Sequence, residues 1–197
     1  MPYFTPFSGS PLISPQVPIL SPPMKLVRWK RLTWELSKLP PLESTLPAHF
    51  VFRDASRDEE KIVSHLVFTA FSLDMTWSDA LKIFRDRLEA QVRLAFERET
   101  VPAIVITHGP RIIAASVLST EVEAESHLIS GPCVLPEYCN RGLGTALLHH
   151  SLLKLHSAGL TRASAVTKDN VPASKFLYPK FASSSASHEY EPMLAVT

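Results

Sequence analysis

Cysteine is scarce, charge is balanced and long apolar runs are missing. Two cysteines in 197 residues cannot staple a small secreted scaffold. Twenty Lys and Arg against nineteen Asp and Glu leave a formal charge of +1, which provides no electrostatic footprint for a nucleic-acid partner. No apolar stretch approaches the ~20 residues that a membrane helix needs. With 45% hydrophobic residues, the chain can bury the core of one ordinary soluble domain.

What is plentiful is proline, and it is unevenly placed. Ten of the 17 prolines fall in the first 47 residues, and residues 1 to 24 carry no Asp, Glu, Lys or Arg. Recurrent proline removes backbone donors and breaks helices and central strands, so this stretch is expected to be extended. It has neither the basic start of a signal peptide nor the arginines of a mitochondrial presequence, so a cytoplasmic setting is expected. Translation starting at Met24 is one expectation, because the first charged residue, Lys25, follows at once. Residues 25 to 38 alternate poorly between apolar and polar and read as a solvated, partly docked arm. Pro40, Pro41 and Pro47 mark a linker. The expected division is a proline-rich tail and linker over 1–47 and a folded domain over 48–197.

In the folded part, His49 to Arg53 is a strand candidate. Ser56 to Glu59 reads as a capping box before a helix with apolar pairs at Ile62/Val63, Leu66/Val67 and Ala70/Phe71. A second helix is expected from Thr76, with a similar box ending at Asp79 and a solvated face of Lys82, Arg85, Asp86, Glu89 and Arg93. Ala103 to Thr107 and Arg111 to Ser119 flank His108-Gly109-Pro110 and predict an antiparallel hairpin. A strand over His127 to Val134, a helix over Leu143 to Ser157, a strand over Arg162 to Thr167, a short helix over Val171 to Leu177 and a last strand after Phe181 follow. The order predicts an α/β fold whose sheet has mixed direction, with parallel pairing near its middle.

The chemistry concentrates where a buried strand ends at Pro136 and Gly142 and Gly144 open a helix. Backbone amides at such a helix start form an anion seat, glycine lets a ligand approach them, and Arg141 adds a positive charge at the rim. The run Pro136-Glu137-Tyr138-Cys139-Asn140-Arg141-Gly142-Leu143-Gly144-Thr145 resembles the acetyl-CoA signature of the GNAT superfamily of N-acetyltransferases. Val166 to Ala173 and Lys175 to Tyr178 resemble that family's later strand, its asparagine loop and the helix carrying its tyrosine.

The resemblance implies a GNAT-like mixed central sheet with splayed middle strands flanked by helices. It implies acetyl transfer from acetyl-CoA, as cosubstrate, to a primary amine of a small molecule or peptide by direct attack in a ternary complex. Cys133, Val134, Cys139, Asn140, Arg141, Gly142, Leu143, Gly144, Thr145 and Asn170 are the implied cofactor-binding residues, and Tyr178 the implied proton donor to the leaving thiolate. Two positions depart from the family. Cys139 stands where Arg or Gln is usual, and Pro179-Lys180 replaces a glycine turn. Ser130 occupies the strand position where many relatives carry a glutamate base. Glu121, Glu123, Glu125 and His127 remain as bases, with His127 favoured on its ordinary pKa and Glu123 or Glu125 acting through water; His127 and Glu125 are the catalytic candidates carried forward. The alternative is a non-catalytic acyl-CoA-binding or interaction module with the same fold. Cys133 and Cys139 lack a second pair, so no metal is expected, and neither a nucleic acid nor a membrane partner is expected. A homodimer is compatible with the sequence.

Overall fold

The capping signal at Ser56 opens the first helix as its residue types demand. In the computed structural model, which describes residues 27–43 and 46–189, Glu59 accepts the Ser56 N–H at 3.0 Å and the Ser56 side chain takes the Glu59 N–H. Arg53 braces the same carboxylate with two bonds of 2.7 and 2.6 Å. Helix α1 (Glu60–Leu73) then buries Val63, Leu66 and Val67, with Ala70 and Phe71 half-buried, while Ile62 of the first expected pair lies exposed, so the apolar stripe is narrower than its spacing suggests.

Helix α2 (Leu81–Arg98) starts later than its sequence suggests. Asp74 accepts both the N–H and the hydroxyl of Thr76, at 2.9 and 2.7 Å, and so caps a 3₁₀ turn over Met75–Trp77. A short aspartate side chain that bonds two residues ahead captures the turn before a Thr76 cap can form. Lys168 then ties this turn down, donating to the Thr76 carbonyl at 2.8 Å and pairing with Asp79. The charged face of α2 is exposed, as expected.

Strands β1 (Trp29–Glu35), β2 (Phe50–Asp54), β3 (Ala103–His108), β4 (Arg111–Val117), β5 (Cys133–Val134), β6 (Arg162–Lys168) and β7 (Ser184–His188) form two sheets. One has the order β6-β1-β7 and the other β2-β3-β4-β5. The 103–117 hairpin forms as expected, with a register shift between Ile106 and Thr107. Both of its strands are buried almost throughout, because α1 and α2 cover one face and α3 (Leu143–Ser157) the other. Strands covered on both faces read as continuous apolar runs rather than alternating ones.

Two expectations are overturned. The arm read over residues 25–38 is instead strand β1, paired with both β6 and β7. Leu32, Trp34 and Leu36 are 2%, 0% and 2% exposed, so their period of two points into the core. Lys30 is accommodated by an ion pair with Asp169 at 2.9 Å, which is why the basic residues do not keep this segment in solvent. The folded part therefore includes Trp29 and does not begin near His49. The uncharged stretch over 1–24 and the Met24 start lie outside the described residues.

The parallel pairing expected mid-sheet is also absent, since every strand pair among the described residues is antiparallel. The strand expected over His127 to Val134 breaks in the middle. Its start touches both sheets: Leu128 bridges Leu118, while the His127 and Leu128 amides donate to the Ser164 carbonyl at 2.9 and 3.1 Å. Beyond that point Gly131 takes φ +61° and Pro132 has no N–H to give. The segment leaves β6, and a wedge opens between the two sheets.

Candidate active site

The wedge is the mouth of a cavity of about 770 Å³. One wall is the break itself, Ser130 to Val134, and the opposite wall is Val166 and Thr167 of β6. Leu135 donates its N–H to Ile113 of β4 at 3.0 Å. By the alternation of an extended strand, Val134 turns its amide and carbonyl to the unpaired side.

At one end the cavity reaches the start of α3. Asn140 and Gly142 both have left-handed backbone, φ +61° and +78°, so the loop turns sharply onto the helix. Leu143, Gly144 and Thr145 line the cavity in the first helical turn, where amides have no earlier carbonyl to bond and the helix end is positive. A Cβ on Gly144 would make only ordinary contacts, 3.8 Å to Leu177 and 3.9 Å to Val134. Packing therefore does not require glycine there, and the space suits a ligand that approaches the amides. Lys180 also lines this end, its Nζ 3.4 Å from Thr145 Oγ1.

At the centre stands Tyr178. It is 5% exposed, packs edge-on against Trp34 at 5.6 Å, and lines the cavity. A Cβ on Gly131 would overlap its hydroxyl, while the ring Cζ would lie at an ordinary 3.6 Å. Burial, with the Cys133 sulfur nearby, raises the tyrosine's pKa, so it is a neutral hydroxyl at physiological pH. At the far end Phe71, Leu73, Asp74, Trp77, Arg87 and Glu125 line the wall.

A model of the acetyltransferase (GNAT) family matches residues 68–181. The chain belongs to this family. Three solved structures share the fold. A Drosophila protein has a TM-score of 0.56 at 14% identity, over 82% of this chain and 48% of its own. A GCN5-related N-acetyltransferase from Sphaerobacter thermophilus has a TM-score of 0.54 at 15% identity, over 83% and 50%. Another from Kribbella flavida has a TM-score of 0.51 at 15% identity, over 81% and 55%. The chain spans about half the length of these structures. No curated protein matches the chain.

Within this GNAT fold the residues expected from sequence separate into those the cavity gathers and those it does not. Tyr178, Glu125, Cys133, Val134, Cys139, Asn140, Gly142, Leu143, Gly144 and Thr145 all line it. Arg141 does not: it folds back to the Glu137 carbonyl at 3.0 Å and lies over the Tyr138 ring. Asn170 is exposed and outside the cavity wall, and the turn after it is tied instead by Ser174, whose hydroxyl donates to the Val171 carbonyl at 2.9 Å.

His127 is the largest departure. It is buried outside the cavity wall, where its Nδ1 accepts the Ser164 N–H at 3.1 Å and lies 2.9 Å from the Ser164 hydroxyl. Burial lowers its pKa, partly opposed by the Val122 and Glu121 carbonyls. A neutral ring pinned at Nδ1 and shut away from the wedge is a structural clamp. Ser130 is likewise committed, accepting the Val117 N–H at 3.0 Å and donating to the Gly131 carbonyl at 2.8 Å. Of the acidic bases considered, Glu121 pairs with Arg98 at 3.5 Å on the surface and Glu123 is exposed. Glu125 alone among these candidates reaches the cavity, held by Arg87 and by His188 at 2.9 Å. A carboxylate only accepts, so His188 Nε2 carries the proton of that bond.

Both cysteines are free thiols. Burial pushes Cys133 up to about 12, and burial together with the Asp74 and Glu137 charges raises Cys139. Neither is a thiolate at neutral pH. Among the described residues no group of three or more His, Cys, Asp or Glu could hold a metal, and no helix is long and apolar enough to cross a membrane.

Four contributors lie outside what the sequence pattern singles out. Gly131 has a legible signal in the Gly-Pro pair that marks a turn, and Lys180 has one in its place beside the motif tyrosine. Arg87 and His188 have none, because they meet Glu125 only through the packing of α2 and β7.

Proposed function

We propose that this GNAT protein transfers an acetyl group from acetyl-CoA to a primary amine of a small molecule or peptide, by direct attack within a ternary complex. The observation that carries the reading is that one cavity joins the wedge between β5 and β6, the amides opening α3 and the neutral Tyr178 hydroxyl. Val134 offers its amide to the cosubstrate's amide-bearing arm, and its carbonyl, now met only by the weak Cys139 thiol donor at 3.8 Å, can take a stronger donor from the same arm. Leu143, Gly144 and Thr145 offer amides to its phosphates, with Lys180 supplying charge where Cys139 supplies none.

The ammonium first gives up one proton, relayed by water, to the Glu125 carboxylate, whose oxygens each hold one bond, from Arg87 and His188, and keep a further lone pair for it. The neutral nitrogen attacks the thioester carbonyl, the C–N bond forms and the C–S bond breaks. Tyr178 protonates the departing sulfur and recovers its proton from the nitrogen that has become an amide. The products are the N-acetylated acceptor and the free thiol. The two free cysteines fit a reducing, cytoplasmic setting.

The test is thiol release from acetyl-CoA across a panel of amines. Tyr178→Phe is expected to lower turnover by about 10²-fold with acetyl-CoA affinity unchanged. Tight acetyl-CoA binding without thiol release on any amine would instead favour a non-catalytic acyl-CoA-binding module, the reading that Cys139 and the folded-back Arg141 support.

A further inference from the structure

The far end of the cavity has a chemistry of its own. Trp29, Phe71, Trp77 and Phe84 line it as one interlocked group. Phe71 meets Trp77 edge-on at 4.9 Å and Phe84 at 5.3 Å, and Trp29 meets Trp77 at 6.2 Å. At the rim, Leu73 and Phe176 are 62% and 71% exposed although both line the cavity. Large apolar side chains left in solvent at a cavity mouth mark a surface that binds apolar matter.

One carboxylate sits beside this wall in a state to receive a cation. Glu125 has both oxygens occupied, by His188 and Arg87. Asp74 has both of its hydrogen bonds, to the Thr76 N–H and hydroxyl, on Oδ1. The same turn that Asp74 caps carries Trp77, and Lys168 fastens it to β6. Charge and aromatic wall are therefore set at a fixed distance by four consecutive residues, Asp74-Met75-Thr76-Trp77.

We propose that the acceptor is a primary amine on an apolar, aromatic-sized body, its ring packed against Phe71 and Trp77 and its ammonium paired with Asp74. The inference rests on the acetyl-transfer reading for its role and on the wall chemistry for its substance. A polyamine or an amino sugar would leave the aromatic wall uncovered by apolar surface.

The test uses the full chain and reads binding apart from turnover. Phenethylamine, spermidine and glucosamine are titrated while the fluorescence of the wall tryptophans is followed, with calorimetry in parallel. Phenethylamine is expected to bind about tenfold or more tighter than the other two. Asp74→Asn keeps the Oδ1 acceptor for Thr76 and removes only the charge, and it is expected to weaken phenethylamine about tenfold. Phe71→Ala, at a half-buried position, is expected to weaken phenethylamine while leaving spermidine unaffected. Equal affinities for the three amines, preference for a hydrophilic one, or an Asp74→Asn protein that binds phenethylamine as before would each overturn the proposal. Thiol release on the same amines reports separately on acetyl transfer: phenethylamine bound through Asp74 without release upholds the binding site and removes the transferase reading.

Discussion

Gly131 is the position where backbone conformation and the site's chemistry meet, and Gly131→Ala separates them. The alanine has two costs. Its backbone must hold φ +61°, a left-handed conformation worth about 1–2 kcal/mol against an L side chain. Its Cβ also overlaps the Tyr178 hydroxyl. The ring cannot swing freely, being 5% exposed and packed edge-on against Trp34, so relieving the overlap costs about a further 1–3 kcal/mol. The second cost resides in a single oxygen. The ring Cζ would sit at 3.6 Å from that Cβ, ordinary contact, so Tyr178→Phe removes the overlap and leaves the backbone strain. Urea unfolding of the four proteins in the cycle should show Gly131→Ala destabilised by about 2–5 kcal/mol and the same change in the Tyr178→Phe background by about 1–2 kcal/mol. Acetyl-CoA thiol release should fall in Gly131→Ala through displacement of the hydroxyl. Additive destabilisation, with the alanine costing the same in both backgrounds, would refute the contact between Gly131 and Tyr178.

Other consequences are as concrete. A chain truncated to start at His49 loses β1, and with it the burial of Leu32, Trp34 and Leu36, about 5–9 kcal/mol at the usual value per large side chain. That matches a typical domain's whole stability, so no cooperative thermal transition should be seen by circular dichroism. Cys139→Arg restores the basic residue usual at that place in the motif, and acetyl-CoA binding by calorimetry should tighten several-fold, less so as salt rises. His127, buried, has its pKa lowered in the folded state, so the unfolded chain binds the extra proton below about pH 6.5. Its contribution is intact above that pH and is lost as pH falls toward 5. Urea midpoints between pH 8 and 5 should fall less steeply in His127→Asn, which keeps an acceptor near the Nδ1 position, than in the parent; equal slopes would sink the assignment.

Local signals are legible where a few neighbouring residues decide the outcome. The Ser56–Glu59 box, the hairpin around His108-Gly109-Pro110 and the helix from Leu143 form where their residue types place them. The glycine-opened helix is legible for the same reason, as a run whose geometry is written within one or two turns, whereas Tyr178 stands out only through the resemblance to the family's motif. What stays hidden depends on partners far along the chain. Lys30 and Arg31 make β1 look solvated because nothing nearby reveals that Asp169 receives the lysine or that β6 and β7 close on both sides. The Asp74 cap is masked because two competing caps, Asp74 and Thr76, lie two residues apart and only one turn can form. Arg87 and His188 carry no pattern at all, since an edge strand of serines delivers the histidine to Glu125.

The burial of His127 explains the wedge. An imidazole near neutrality looks like a base because its intrinsic pKa suits proton transfer. Its surroundings use it otherwise. Nδ1 takes the Ser164 N–H, while the amides of His127 and Leu128 converge on the Ser164 carbonyl, so three bonds to one residue of β6 fasten the sheets together at this point. Three residues beyond Leu128, Gly131 turns left-handed, and Pro132 has no amide with which the ladder could continue. The sheets are therefore pinned at Ser164 and released at Gly131, and Tyr178 stands at the release point with its hydroxyl against the one residue too small to block it. A base placed at His127 would lie at the closed end of the wedge. The cavity itself is lined by Glu125, Asp74 and Tyr178 and not by His127.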